Sequence, residues 1–279
     1  MKAMIFGSSL MLLPVLACAG PGQSATATAQ ETGEVRWTVE ADAGKGGAPK
    51  LRLEHAKSSS DLSLDDQLAA KRPEFDEARA ALGSTGQVRF SVRHEAGTLD
   101  CSGNLAHAFE GKGTCGFAPD AGFERELATR GLAPKKRDDL FAMLIVDATI
   151  ALADGLTAEG VRPRDSDGLI AAGALEVTPG YVRGFRGTPL ALSRIDDAVA
   201  FRALGVTGDY VRDLNAAGYA KLSVEDVTAM KALGVTGDYV RALAAAGYEK
   251  LSVQDVIGMK AMGVTGAYAK AMNGAEAGR

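Results

Sequence analysis

Gly205-Val206-Thr207-Gly208-Asp209-Tyr210-Val211-Arg212 returns unchanged as Gly234 to Arg241, and in relaxed form as Gly263-Val264-Thr265-Gly266-Ala267-Tyr268-Ala269-Lys270. The interval is 29 residues both times. One further step toward the N-terminus lands on Glu176-Val177-Thr178-Pro179-Gly180-Tyr181-Val182-Arg183. Earlier steps keep a column of large apolar residues: Phe123, Leu152, Tyr181, Tyr210, Tyr239 and Tyr268. A glycine follows eight residues later in the first five units (Gly131, Gly160, Gly218, Gly247), Pro189 being the exception. A fixed period of this length is the signature of a stacked repeat, so residues 118–274 are expected to form a solenoid.

Each unit reads as two short helices. Thr207 is placed to cap the first one, Asp209 complements its positive end, and Val206 and Val211 have the spacing of a hydrophobic staple. Pro179 sits where the first helical residue is expected, a position that tolerates proline. Gly218 and Gly247 are read as left-handed stops. The second helix opens on Ser223 with Asp226 three residues on, and again on Ser252 with Asp255; Gly234 and Gly263 end it. A helix of about ten residues is marginal alone, so the stripe containing Tyr210, Val211, Leu214, Val227 and Met230 must be buried by stacking.

Residues 34–117 have a different period. Val35, Trp37 and Val39 alternate with polar residues, as do Val88, Phe90 and Val92, and Leu51-Arg52-Leu53 continues the pattern after the glycine-rich turn at 43–47. Residues 57–85 are polar and helix-tolerant, with a helix expected over Pro73 to Leu82. A hairpin centred near Ala108 puts Cys101 opposite Cys115, close enough for a disulfide that closes a loop worth about 3 kcal/mol. The whole is an α+β chain: a small β-rich module with one helix, then an all-α solenoid of short helix pairs, and a tail at 275–279.

The first nineteen residues read as an export signal: Lys2, then an apolar run from Met4 to Ala17 that is too short to span a bilayer. Two processing routes are open. Ala17-Cys18-Ala19 fits cleavage before Gly20, and Val15-Leu16-Ala17-Cys18 resembles a lipobox that would leave Cys18 lipidated. Residues 20–33 then form a flexible tether. With Cys18 removed or lipidated, Cys101 and Cys115 are an even pair suited to an oxidising compartment such as the periplasm. The 279 residues carry a net charge of -4, and 176–274 holds 11 Lys/Arg against 10 Asp/Glu. Such a balance does not profit from phosphate neutralisation, so nucleic acid is not an expected partner, and a membrane is expected only through the lipid.

Two basic columns follow the period. Arg183, Arg212, Arg241 and Lys270 form the first, Arg202, Lys231 and Lys260 the second. On a regular stack they make ridges able to meet an anionic partner; equally, Arg212 and Arg241 lie three residues after Asp209 and Asp238, the spacing of an intrahelical ion pair. The three histidines, His55, His94 and His107, show no metal-ligand spacing, and no nucleotide-binding or nucleophile-elbow motif occurs, so no metal or cofactor is expected. His107 falls near the expected hairpin tip. Among polar clusters, His94, Glu95 and Asp100 are the ones an enzyme would draw on.

The 29-residue units, with their Gly-Tyr pairs at 218–219 and 247–248 and Leu-Ser starts at 222–223 and 251–252, resemble repeats in the extracytoplasmic parts of bacterial membrane zinc peptidases of the beta-lactam sensor/antirepressor type. They are also similar to repeats of stand-alone exported proteins. Phe90 to Phe117 with Phe123 is similar to the β segment that often precedes them, so the resemblance covers about two-thirds of the chain. The membrane helices and the H-E-x-x-H zinc site of the peptidases are missing, so proteolysis does not carry over. The resemblance implies an envelope accessory that senses or binds. The expected function is therefore non-enzymatic binding of a protein or cell-wall ligand through the repeat surface, with an envelope enzyme at the β module or junction, or a structural spacer, as alternatives.

Overall fold

The computed structural model describes residues 34–41, 47–56 and 58–276. The export signal, the tether, Cys18 and most of the 43–47 turn lie outside them. Among the described residues six strands form one antiparallel sheet: β1 (Val35–Glu40), β2 (Lys50–His55), β3 (Ser58–Ser63), β4 (Gly86–His94), β5 (Gly97–His107) and β6 (Glu110–Pro119). Their order is β3-β2-β1-β6-β5-β4. Alternation decides which face is buried. Val35, Trp37 and Val39 point inward with Leu51, Leu53, Phe90 and Val92, while Arg36, Arg52 and Arg89 face water.

Trp37 lies across two opposed glycines, Gly103 and Gly113. Its indole N–H donates to the Ser102 carbonyl at 3.2 Å, and Phe90 meets it edge-on at 5.6 Å. A Cβ on Gly113 would stand 2.1 Å from the Ser102 oxygen and 2.6 Å from the indole nitrogen, so this strand pair needs glycine to admit the ring. Cys101 and Cys115 are directly opposed and disulfide-bonded, with Cα atoms 4.0 Å apart. The chain turns at Ala108 and Phe109, beside an exposed His107, as the alternation predicts.

Residues 57–85 depart from the sequence reading. The expected helix is present as α2 (Asp76–Leu82) after a 3-10 turn at Pro73–Phe75, and α1 (Asp66–Lys71) precedes it. The segment also contains β3, which reads Ser-Ser-Ser-Asp-Leu-Ser. That strand carries almost no apolar alternation because it holds its place by backbone bonding to β2.

The solenoid follows the period throughout. First helices are α3 (Ala121–Thr129), α5 (Ile150–Ala158), α7 (Pro179–Arg183), α9 (Gly208–Ala216), α11 (Gly237–Ala245) and α13 (Gly266–Glu276). Their starts are 29 residues apart, and α13 runs two residues past the expected end at 274. Second helices are α4 (Arg137–Val146), α6 (Ser166–Ala174), α8 (Ile195–Ala203), α10 (Val224–Ala232) and α12 (Val253–Ala261), also 29 apart. Each kind packs on its own kind in neighbouring units. Asp120, Thr149, Thr178, Thr207 and Thr236 all cap in the same way, each accepting from the N–H three residues on. In the third unit Gly187 supplies the left-handed turn ahead of Pro189, and α7 is correspondingly short.

The tyrosine column fastens unit to unit. The hydroxyls of Tyr181, Tyr210 and Tyr239 donate to the carbonyls of Val206, Val235 and Val264, each 25 residues on, at 2.7, 2.7 and 2.9 Å. Burial pushes the Tyr181 and Tyr210 hydroxyls up to about 12, so they remain donors at neutral pH. Sheet and solenoid share one core, because Leu140, Phe141 and Leu144 of α4 are buried in the same cluster as Leu99 and Phe117. Phe117 and Phe141 meet edge-on at 5.6 Å. That burial accounts for the apolar composition of α4, and no single helix among the described residues is long and apolar enough to cross a membrane.

Two substitutions test these contacts by urea unfolding. Gly113→Ala is expected to cost about 1–3 kcal/mol through overpacking against Trp37. Tyr210→Phe is expected to cost about 1 kcal/mol by leaving the Val235 carbonyl without its donor. Unchanged midpoints would remove these residues from the account of stability.

Candidate functional site

The arginine column is engaged in ion pairs. Arg183 bonds Glu159 at 2.8 Å, Arg212 bonds Asp209 at 2.7 Å, and Arg241 bonds both Asp238 at 2.6 Å and Asp213 at 2.9 Å. Arg212 also donates to the Gly184 carbonyl, so the column staples neighbouring first helices as well as its own. Lys270 is exposed and makes no ion pair within the described residues. The second basic column lies over the tyrosines: Arg202 over Tyr181, Lys231 over Tyr210 and Lys260 over Tyr239, with the charged groups 4.5 to 5.2 Å from the ring centres.

The histidine cluster expected of an enzyme is dispersed. His94 is nearly buried; its Nδ1 accepts from the Ala96 N–H and its Nε2 lies 3.2 Å from Asp147. The Ala96 bond fixes the proton on Nε2 in the neutral ring, leaving neither nitrogen free to act as a base. Glu95 accepts from the Ile150 N–H at the start of α5. Asp100 faces the opposite side of the sheet, hydrogen-bonded to Ser91. His55 packs on Phe141 with Nε2 3.2 Å from Asp138 and Nδ1 buried without a partner. Among the described residues no group of His, Cys, Asp and Glu is arranged to hold a metal ion.

What the fold builds instead is a groove of about 1080 Å³ where the sheet module meets the first units of the solenoid. One wall comes from Ser60, Asp61 and Leu62 of β3 and from Leu68, Lys71 and Arg72 of α1 and its C-cap; the other comes from the ends of α4 and α6 and from Tyr181 and Arg202. Arg72 is the buried pin. It donates to the carbonyls of Leu144 and Ile145 at 2.7 and 3.0 Å, pairs with Glu74, and lies 3.6 Å from Asp147. These bonds satisfy two orphan carbonyls at the end of α4 and fix α1 against the solenoid.

Two carboxylates in this groove have an unusual backbone. Asp147 and Glu176 occupy the position that later units give to Gly205, Gly234 and Gly263, and all five are left-handed, with φ between 52° and 74°. A residue with a Cβ is strained there by about 1–2 kcal/mol, aspartate less than most, as it also is at Ala56, Phe109 and Lys250. Asp147 faces His94 and Arg72, which hold its carboxyl below the ordinary carboxylate range, His94 contributing most. Glu176 is gripped from both sides, by Lys71 at 2.9 Å and Arg202 at 3.3 Å, and Lys71 contributes most to lowering its pKa. Sequence reasoning ranked neither residue, although stepping back from Gly205 by 29 and 58 residues lands on them.

Comparison of the chain with family models, with curated proteins and with solved structures gave no match.

The Asp147 contacts have a pH signature. A carboxylate with a depressed folded pKa contributes stability above its unfolded value, about 3.9, and loses it as the pH falls through the folded value. The advantage of wild type over Asp147→Asn in urea midpoint is therefore expected to shrink as the pH falls from about 5 through the acid range. A gap that stays constant across that interval would show that Asp147 acts through its shape and not its charge.

Proposed function

We propose that the protein is a non-enzymatic binding or sensing accessory of the bacterial cell envelope, and that it takes its ligand in the groove between β3, α1 and the first solenoid units. The observation that carries this reading is the pair of strained carboxylates, Asp147 and Glu176, held by Lys71, Arg72, His94 and Arg202 around that groove. A left-handed aspartate and a left-handed glutamate stand at positions where glycine serves the later units, and both line the same opening. The arginine column supports the same choice from the other direction, since its charges are spent on neighbouring carboxylates. Export rests on the reading of residues 1–19 and the Cys101–Cys115 bridge suits it.

A photo-crosslinking amino acid placed at Ser60 in the groove, at Arg212 in the arginine column, or at Arg89 on the outer sheet face tests the location in cells that make the protein. Adducts formed from Ser60 and not from the other two positions are the expected result. Adducts from Arg212 alone would move the binding surface to the solenoid ridge, and the absence of adducts from all three positions would favour a spacer.

A further inference from the structure

The sheet has two edges, and they are treated differently. At β4 the edge is shielded by α2: the outward N–H of Ser91 donates to Glu77 at 3.2 Å. At β3 no such cover exists among the described residues. The Leu64 N–H bonds the Pro49 carbonyl, which fixes the phase of the β2–β3 ladder. Alternation then turns the backbone groups of Ser58, Ser60 and Leu62 toward β2 and those of Ser59, Asp61 and Ser63 away from it. These outward N–H and C=O groups have no partner among the described residues. The usual protections of a free edge are also weak here: β3 has no proline or lysine, and its one charge, Asp61, is neutralised by Arg52 at 2.7 Å.

This unprotected edge borders the groove, since Ser60, Asp61 and Leu62 are part of its wall. Leu62, Leu68, Val146 and Leu152 give the groove apolar surface, and Lys71 and Arg202 converge on a single exposed carboxylate, that of Glu176. A row of free backbone donors and acceptors, apolar lining and a two-cation seat for a carboxylate together match one ligand chemistry. An extended polypeptide has a backbone to pair with the edge, alternate side chains to fill the groove, and a carboxylate to exchange with Glu176. We infer that the groove binds an extended peptide segment, which adds a strand to the outer edge of β3 and sets a carboxylate, terminal or side-chain, between Lys71 and Arg202. The inference rests on the groove being the binding site.

The test uses the full exported protein and a displayed library of random nonapeptides with free C-termini; enriched sequences are synthesised and titrated by calorimetry. Asp61→Pro removes an outward N–H without breaking a bond to β2, so the sheet is expected to survive, which circular dichroism and a melting curve check. Binding is expected to fall at least tenfold in Asp61→Pro and to fall much less in Asp61→Asn, which keeps the N–H but loses the ion pair. Methylating alternate backbone nitrogens of the peptide should cause the same loss in one of the two phases, with the protein untouched. Replacing every peptide carboxylate by an amide should weaken binding at least fivefold, and amidating only the terminus or only the side chains tells which carboxylate takes the seat. Ala174→Trp, which fills the groove from an exposed lining position, separates the two levels of the argument. Peptides lost with Ala174→Trp but indifferent to Asp61→Pro and to methylation overturn strand addition and leave the groove standing. Peptides indifferent to all of these changes overturn both. Failure to enrich any peptide, with groove adducts still formed from Ser60, overturns the peptide alone.

Discussion

Helices of about nine residues are too short to persist alone in water, and this constraint governs the molecule. Burying one stripe per helix between neighbours relieves it, and the 29-residue period places each stripe against the next. Three devices hold the stack in register: threonine caps, left-handed glycine turns, and a tyrosine hydroxyl that reaches 25 residues forward to a valine carbonyl. The hydroxyl bond satisfies a loop carbonyl between two helices, while the ring lies under a cation of the second basic column. One residue thus packs, hydrogen-bonds and orders a charge. The bonding that makes the repeat regular also accounts for most of the charges that run along it.

The N-terminal end of the stack faces a different problem, because the first unit has no preceding unit to cover its second helix. The sheet fills that place. α4 offers Leu140, Phe141 and Leu144 to the sheet on one side and packs on α6 on the other. The sheet therefore acts as the cap that a solenoid requires. Where cap and stack meet, regular packing ends, and Arg72 closes the seam by taking the last carbonyls of α4. A groove remains beside it, lined by β3 and α1 on one side and by the ends of α4 and α6 on the other.

Some of this was legible in the residues. The column from Phe123 to Tyr268 marks every first helix, including the units with no exact match. The alternation of Val35, Trp37 and Val39 and of Val88, Phe90 and Val92 located β1 and β4, and the Cys101–Cys115 pairing followed from hairpin geometry. The strand β3 escaped because it is polar and held in place by its backbone bonds to β2, so Ser58 to Ser63 leave no side-chain pattern to read. The site escaped for a related reason. Lys71, Arg72, His94, Asp147, Glu176 and Arg202 are spread over more than 130 positions, and the repeat places only Asp147, Glu176 and Arg202, without saying that they meet Lys71, Arg72 and His94.

The sequence by itself determined the class of fold, the period of the solenoid and the disulfide, because each depends on residues related by short or constant spacing. Only the tertiary structure decided that the arginine column is tied to its own carboxylates, that the two carboxylates in the glycine column face a groove, and that one sheet edge is left open beside it. These features depend on which elements become neighbours, and that is settled by long-range packing around α4, which no local spacing encodes.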